Sequence, residues 1–452
     1  MDAGNRVLRR ELAATVKLAW PVVIAELGWM AMGVADTVMV GRISPEALGA
    51  TGMGSTIFLA VGIFGMGLLL GLDPLVAQAY GAGSLDECHR WLVQGLYLAL
   101  LVAGPVMLVT YGIAYTMPAW GVHTAVVDIA QPYLHVVAWS ALPLLLYAAL
   151  RRYLQALHVV KPVMFALVSA NGINIVANWA LIYGHLGFPA LGPVGAAWAT
   201  LVSRVYMAAV LAGAVLAHER AHRTGLSATP LRFEPARLGR LLRLGTPAAM
   251  QLAAEVGVFA AATALVGRLD PIALASHQIA LNMVGVSFMF PYGISSAGAV
   301  RVGNALGRGD PGGVARSGWA AIAIGVGIMA VAAVLFFIVP ESLVRLFSTD
   351  ATVVAMGSSL LLVAAIFQLF DGLQVVATGV LRGLGNTHTA MISNLVGHWA
   401  LGLPVGYLLC FRLDWGVMGL WIGLSVGLIV VGLVLLVAWT AHLASVRKTL
   451  QC

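Results

Sequence analysis

Residues 40–45 read Val-Gly-Arg-Ile-Ser-Pro, and residues 266–271 read Val-Gly-Arg-Leu-Asp-Pro. The informative quantity is the offset between them, 226 residues. At that offset Pro21 falls on Pro247, Gly67 on Gly293, Gln78 on Asn304, Gly81 on Gly307 and Gly83 on Gly309. Farther along, Leu154-Gln155-Ala156-Leu157 meets Leu381-Arg382-Gly383-Leu384 at an offset of 227. Glycines, prolines and turn residues that recur in register mark a duplicated unit, and the repeat decides the fold before any single element is assigned.

The medium of that fold follows from composition. The 452 residues are 60% hydrophobic and 10% charged, whereas a soluble domain carries about 25% charged residues. Apolar runs fall at roughly 14–40, 48–73, 91–116, 127–150, 162–184, 193–217, 242–267, 272–299, 315–339, 352–380, 389–411 and 416–442. Each is long enough to cross about 30 Å of hydrocarbon as a helix. The basic start (Arg6, Arg9, Arg10) precedes an apolar run with no small-residue cleavage site, which predicts a retained first helix. Cys88, Cys410 and Cys452 are scattered and form no disulfide framework or metal motif.

The longest polar stretch, 218–241, divides the chain into an N-terminal lobe 1–217 and a C-terminal lobe 242–452. The expected fold class is an all-α membrane protein, with twelve transmembrane helices in two six-helix bundles. Six spans per half is even, so both halves insert in the same direction. That predicts a pseudo-twofold along the membrane normal and a substrate cavity between the halves. With the N-terminus in the cytoplasm, twenty of the 25 Lys and Arg residues fall on the cytoplasmic side. Four (Arg42, Arg268, Arg345, Arg412) fall outside, and Arg204 lies within a span. This asymmetry predicts both termini inside.

Four carboxylates interrupt the apolar runs: Glu26, Asp36, Glu255 and Asp371. A charge at the bilayer centre costs at least about 2.5–3.5 kcal/mol on insertion scales, and such residues mark ion paths. The repeat supplies a control. Asp36 aligns with Ala262, Glu255 with Trp29 and Asp371 with Leu144. The scaffold therefore folds at those positions without an acid, which points to function.

Several motifs, weak singly, are strong in their order and spacing: Asp36-Thr37-Val38-Met39-Val40-Gly41, Val76-Ala77-Gln78-Ala79-Tyr80-Gly81-Ala82-Gly83, Ala275-Ser276-His277-Gln278-Ile279-Ala280-Leu281-Asn282, Arg301-Val302-Gly303-Asn304-Ala305-Leu306-Gly307 and Leu381-Arg382-Gly383-Leu384-Gly385. With the two-by-six repeat, they make nearly the whole chain resemble the multidrug and toxic compound extrusion (MATE) family, on its NorM-like branch. The resemblance implies an antiporter of a bacterial-type inner membrane. It would export lipophilic cationic drugs or dyes in exchange for inward Na⁺ or H⁺. A monomer in the lipid bilayer is expected, with no nucleic-acid partner and no cofactor beyond the coupling ion.

Glu255 and Asp371 match the family's acidic positions. Gln368, Asp371, Gln374 and Thr378 fall within about 120° of one another on their helix. Gln251 and Glu255 are one turn apart, as are Gln278 and Asn282. Three polar stripes converging on two carboxylates would supply hard oxygen ligands for Na⁺, with Glu255 and Asp371 as the metal-binding acids. The same carboxylates could carry a proton. A first-half network is expected from Asp36, Asn174, Asn178 and Thr200, with Asn171 on the same helix face. Glu26 and Arg204 depart from the family pattern. Arg204 lies one turn beyond Thr200, within reach of Glu26 or Asp36. One extra acid and one extra base predict a Glu26–Arg204 pair. His277 and His398 are expected as hydrogen-bonded core, and Asp73 with Pro74 as the end of the second helix.

The sequence carries no G-x-x-x-x-G-K-[ST] and no loop long enough for a nucleotide domain, which argues against an ATP-driven pump. No nucleophile or metal cluster suggests a membrane enzyme. A lipid-linked oligosaccharide flippase of the same superfold is the competing reading. It would usually need a strongly basic cavity, which an acid-lined chain does not suggest.

Overall fold

The computed structural model describes residues 2–451 except Val122, with side chains from Arg9 to Lys448; the side chain of Arg6 and residue Cys452 lie outside the described residues. The described residues form helices joined by short turns and one longer extended stretch between α8 and α9: α1 Asp2–Gly41, α2 Pro45–Leu69, α3 Leu72–Gly81, α4 Leu85–Thr116, α5 Thr124–Trp139, α6 Ala141–Ala156, α7 Lys161–Tyr183, α8 Pro193–His222, α9 Pro235–Val266, α10 Pro271–Gly307, α11 Pro311–Ile338, α12 Pro340–Arg345, α13 Ala351–Gly383, α14 His388–Asn394, a π-helical turn Leu395–Gly402, α15 Leu403–Phe411 and α16 Gly416–Gln451. Among them, eleven helical segments are long and apolar enough to cross a membrane, and the pair α5–α6, bent by 42°, makes a twelfth.

The repeat is visible in how helices start and stop. Ser44 caps α2 by accepting from the Ala47 N–H (3.0 Å), and Asp270 caps α10 by accepting from the Ala273 N–H (2.8 Å), each followed by proline at the first helical position. Gly83 and Gly309 occupy matched turns at φ 76° and 68°, a left-handed geometry that disfavours a side chain.

Three prolines explain three irregularities. Proline lacks an N–H and crowds the carbonyl four residues back. Pro74 faces Leu70, where α2 gives way to α3; Pro143 faces Trp139, where α5 bends into α6; Pro404 faces Ala400, inside the π-helical turn. The expected end of the second span is thus a break rather than a stop. Asp73 lies in the first turn of α3 and is buried there. The fourth span likewise runs past its expected end at residue 150 to Ala156, carrying Arg151 and Arg152 into the protein.

Packing divides the chain into two compact units, Ile24–Ala249 and Met1–Val23 with Met250–Cys452. The cuts fall just after Pro21 in α1 and just after Pro247 in α9. In the second unit Arg301 donates to Glu11 and to the Thr15 hydroxyl (2.6 Å). That unit is built around α13, which packs against α10, α11 and α16. Asp350 starts α13 by accepting from the N–H groups of Thr352 (2.8 Å) and Val353 (3.0 Å). Close backbone approach is allowed by small residues: Gly402 and Gly406 meet Gly423 and Gly427 on α16, and Gly419 lies against the backbone of Leu409 and Cys410. A Cβ on Gly423 would enter the backbone of Gly406, and one on Gly427 would lie 2.9 Å from the Gly402 Cα.

This contact gives a sharp contrast. Gly423→Ala should lower the melting temperature, losing about 1–3 kcal/mol or more to overpacking. Gly327→Ala, with nothing within 4 Å of the added carbon, should be neutral or stabilising through helix propensity. Equal thermal stability of the two variants would exclude this seam as a determinant of folding.

Candidate functional site

Each unit holds a polar network built on a membrane-depth carboxylate. In the second unit the carboxylate of Glu255 on α9 accepts from Gln251 Nε2 (2.6 Å) and from Gln374 Nε2 on α13 (3.2 Å). Gln374 Nε2 also lies 3.2 Å from Asn394 Oδ1, tying in α14. Gln368 donates to the Ser287 hydroxyl on α10 (2.8 Å). Asp371 is buried on the same helix. Four α13 oxygens, Gln368 Oε1, Asp371 Oδ2, Gln374 Oε1 and Thr378 Oγ1, are buried without a hydrogen-bond partner among the described residues. Buried polar atoms left unmatched cost free energy, so this face of α13 carries unused hydrogen-bonding capacity.

Gln278 and Asn282 do not join this cluster in the manner expected. Both are exposed, and Asn282 Nδ2 turns back to the Gln278 carbonyl on its own helix (2.9 Å). The inward face of α10 carries Ser276, His277, Ala280, Met283, Val284 and Ser287 instead. His277 is hydrogen-bonded core, between the Thr263 hydroxyl (2.9 Å) and Trp421 Nε1 (2.9 Å). His398, in the π-helical turn, is buried, but neither ring nitrogen has a hydrogen-bond partner among the described residues.

The first-half network forms as expected. Asp36 Oδ1 accepts from Asn178 Nδ2 (2.6 Å) and Oδ2 from the Thr200 hydroxyl (3.2 Å), while Asn178 also reaches Asn174 Oδ1 (3.0 Å). Helix α7 holds α1 at two further heights. Asn171 Nδ2 donates to the Gly28 carbonyl (2.9 Å), and the Tyr183 hydroxyl to the Met39 carbonyl (2.7 Å).

The pair expected between Glu26 and Arg204 is not made. Glu26 is paired with Arg151 of α6, and both side chains are buried. Arg204 donates to the Ser140 hydroxyl (2.5 Å) at the bend between α5 and α6 and lies over the rings of Phe58 (4.6 Å) and Trp29 (5.8 Å). The reason is axial distance. Glu26 lies ten residues from Asp36 on α1, about 15 Å at 1.5 Å per residue, whereas Arg204 is one turn, about 6 Å, from the Thr200 that reaches Asp36. Aromatic faces and a hydroxyl accommodate the guanidinium, with Asp36 acting on it electrostatically but not in direct ion-pair contact. A second ion pair, missed in the sequence, sits nearby: Arg152 Nη1 lies 3.6 Å from the buried Asp73 Oδ2. A signal existed. At the 227 offset Arg151 aligns with Thr378, inside a span.

Tandem six-span halves, each with a membrane-depth carboxylate held in a polar network, define a polytopic membrane transporter. The MatE sequence profile matches residues 21–180 and 247–408, and the chain belongs to that family. It is 39% identical to the probable multidrug resistance protein NorM of Mesorhizobium japonicum over 97% of this chain and 96% of that one. It is 35% identical to the multidrug resistance protein NorM of Aliivibrio fischeri over 93% and 92%. Among solved structures the eukaryotic MATE transporter AtDTX14 superposes with a TM-score of 0.87 at 24% identity, covering 98% of this chain and 99% of that one. An outward-facing multidrug resistance MATE family transporter gives 0.86 at 20% identity, covering 97% of each chain.

The revised pairing has a direct test. Glu26→Gln should destabilise the protein by about 3 kcal/mol or more, because it leaves Arg151 buried without its counter-charge. Adding Arg151→Met should recover much of that loss. Additivity in the thermal double-mutant cycle would reject the pair.

Proposed function

We propose that this protein is a multidrug efflux antiporter. It exports lipophilic organic cations in exchange for inward Na⁺ or H⁺ by alternating access. In this reading it is a monomer of a bacterial inner membrane, with both termini cytoplasmic. Residues 1–217 and 242–452 are the moving lobes, and 218–241 joins them. The names of the relatives support the efflux reading, and the distribution of Lys and Arg supports the orientation.

One observation carries the assignment of the coupling site: the row of unmatched oxygens on α13 at Gln368, Asp371, Gln374 and Thr378, with Gln374 bonded to Glu255. Carboxylate, amide and hydroxyl oxygens are the ligands that hard cations take, and a carboxylate that gives up its charge carries a proton equally well. Gln251 orients Glu255, and Asp371 holds the ion on the same face. In the first half, Asp36 with Asn174, Asn178 and Thr200 forms a second network whose charge state sets how firmly α7 and α8 hold α1. Gln278 and Asn282, exposed on α10, are free to meet cargo rather than the coupling ion. The competing flippase reading predicts glycan-lipid export in place of cation efflux.

The experiment is efflux of an ethidium-like cation from liposomes holding the purified protein, with Na⁺ and pH gradients imposed separately. Asp371→Asn should reduce gradient-driven efflux at least tenfold while the protein remains folded and inserted. Glu255→Gln should act in the same direction. Wild-type rates for both variants would make these acids structural. Loss under only one of the two gradients would identify the ion.

A further inference from the structure

The segment between α8 and α9 is a built surface. Gln94 on α4 clips its extended part with both amide atoms: Nε2 donates to the Arg232 carbonyl (2.8 Å) and Oε1 accepts from the Glu234 N–H (3.1 Å). The Tyr97 hydroxyl donates to the Leu231 carbonyl (3.1 Å), and the Phe233 ring packs edge-on against Tyr97 (5.6 Å). The strap is therefore held in one conformation at a helix terminus of a membrane span.

Its acids are already used. Arg237 takes Glu234 (2.6 Å) and both oxygens of Glu87 (2.6 and 2.8 Å). Glu219 closes its own turn, accepting from the Thr224 hydroxyl and the Gly225 N–H (3.2 Å). Arg220, Arg223, Arg232, Arg240 and Arg243 remain exposed, and none makes an ion pair with a carboxylate among the described residues. Beside Arg232, Leu231 is 79% exposed and Phe233 45% exposed.

We propose that this strap is a docking surface for anionic phospholipid. The free arginines hold headgroup phosphates, and Leu231 and Phe233 enter the boundary between headgroups and acyl chains. Guanidinium groups match phosphate oxygens in a two-pronged geometry. Basic clusters at the end of a membrane span attract acidic lipid, on the order of fivefold in affinity per residue. Apolar side chains beside such a cluster fit a membrane boundary, where one side is wet and the other is not. A strap already fixed by Gln94 loses little conformational freedom on binding. The inference is independent of the coupling ion and of the cargo.

The test uses the full-length protein in detergent, titrated with phosphatidylglycerol or phosphatidylcholine. Bound lipid is counted by native mass spectrometry, and melting temperature is followed in parallel. Phosphatidylglycerol should bind at least tenfold more tightly than phosphatidylcholine and raise the melting temperature. The fourfold variant Arg220→Gln, Arg223→Gln, Arg232→Gln, Arg243→Gln should lose that preference, and the corresponding Lys variant should keep most of it. Leu231→Ser with Phe233→Ser should weaken phosphatidylglycerol binding with the arginines intact. Equal binding of the two lipids would overturn the proposal, as would an unchanged preference in a folded Gln variant. The same thermal shift with millimolar inorganic phosphate would also overturn it, by showing an anion site in place of a lipid surface.

Discussion

Hydrocarbon offers no water to a buried charge. A carboxylate inside these helices must therefore meet a cation, meet enough hydrogen-bond donors, or keep oxygens open for an ion that comes and goes. The first two solutions are visible among the described residues, and a further group of acceptors is left open. Glu26 and Asp73 are paired with Arg151 and Arg152 of α6. Asp36 is held by an amide and a hydroxyl from α7 and α8. Glu255 receives two amide donors, yet Asp371 and its neighbours on α13 keep unmatched acceptors. Among the described residues the last arrangement leaves the longest row of acceptors unmatched on one helix, although Asn174 Nδ2 and Asn178 Oδ1 beside Asp36 are also unmatched.

Such an incomplete site needs a rigid frame, because unmatched oxygens relax toward any donor within reach. Helix α13 is fixed by its capping Asp350 and by close backbone packing, with Gly379 against Ser295 of α10 and Gly372 against Gly325 of α11. The irregularities lie elsewhere, at the prolines. The π-helical turn ahead of Pro404 carries His398, and the bend ahead of Pro143 presents Ser140 to Arg204 of α8.

The acidic positions and the Asp36 network were legible because their spacing is helical and their chemistry is costly in a membrane. The same rule placed Gln278 and Asn282 on one face and was right about that. A one-turn spacing states that two side chains share a face; it does not state which way the face turns. On α10 that choice belongs to Ser276, Ala280, Met283 and Ser287, which pack inward. The pairing of Glu26 failed for a related reason. Sequence can count one extra acid and one extra base, but their heights along antiparallel helices depend on where each helix begins and breaks.

The sequence by itself determined the helical membrane class, the duplication, the span order and which residues carry unusual charge. Those follow from the length of apolar runs and from residues recurring at a fixed offset, both local or one-dimensional quantities. Only the tertiary structure decided which acids are neutralised and which are left open. Arg151 reaches Glu26 because α6 continues past residue 150, and Arg204 reaches Ser140 because α5 bends there. Electrostatic partnership falls off over a few ångströms, and distances of that size are fixed by packing between helices far apart in the chain.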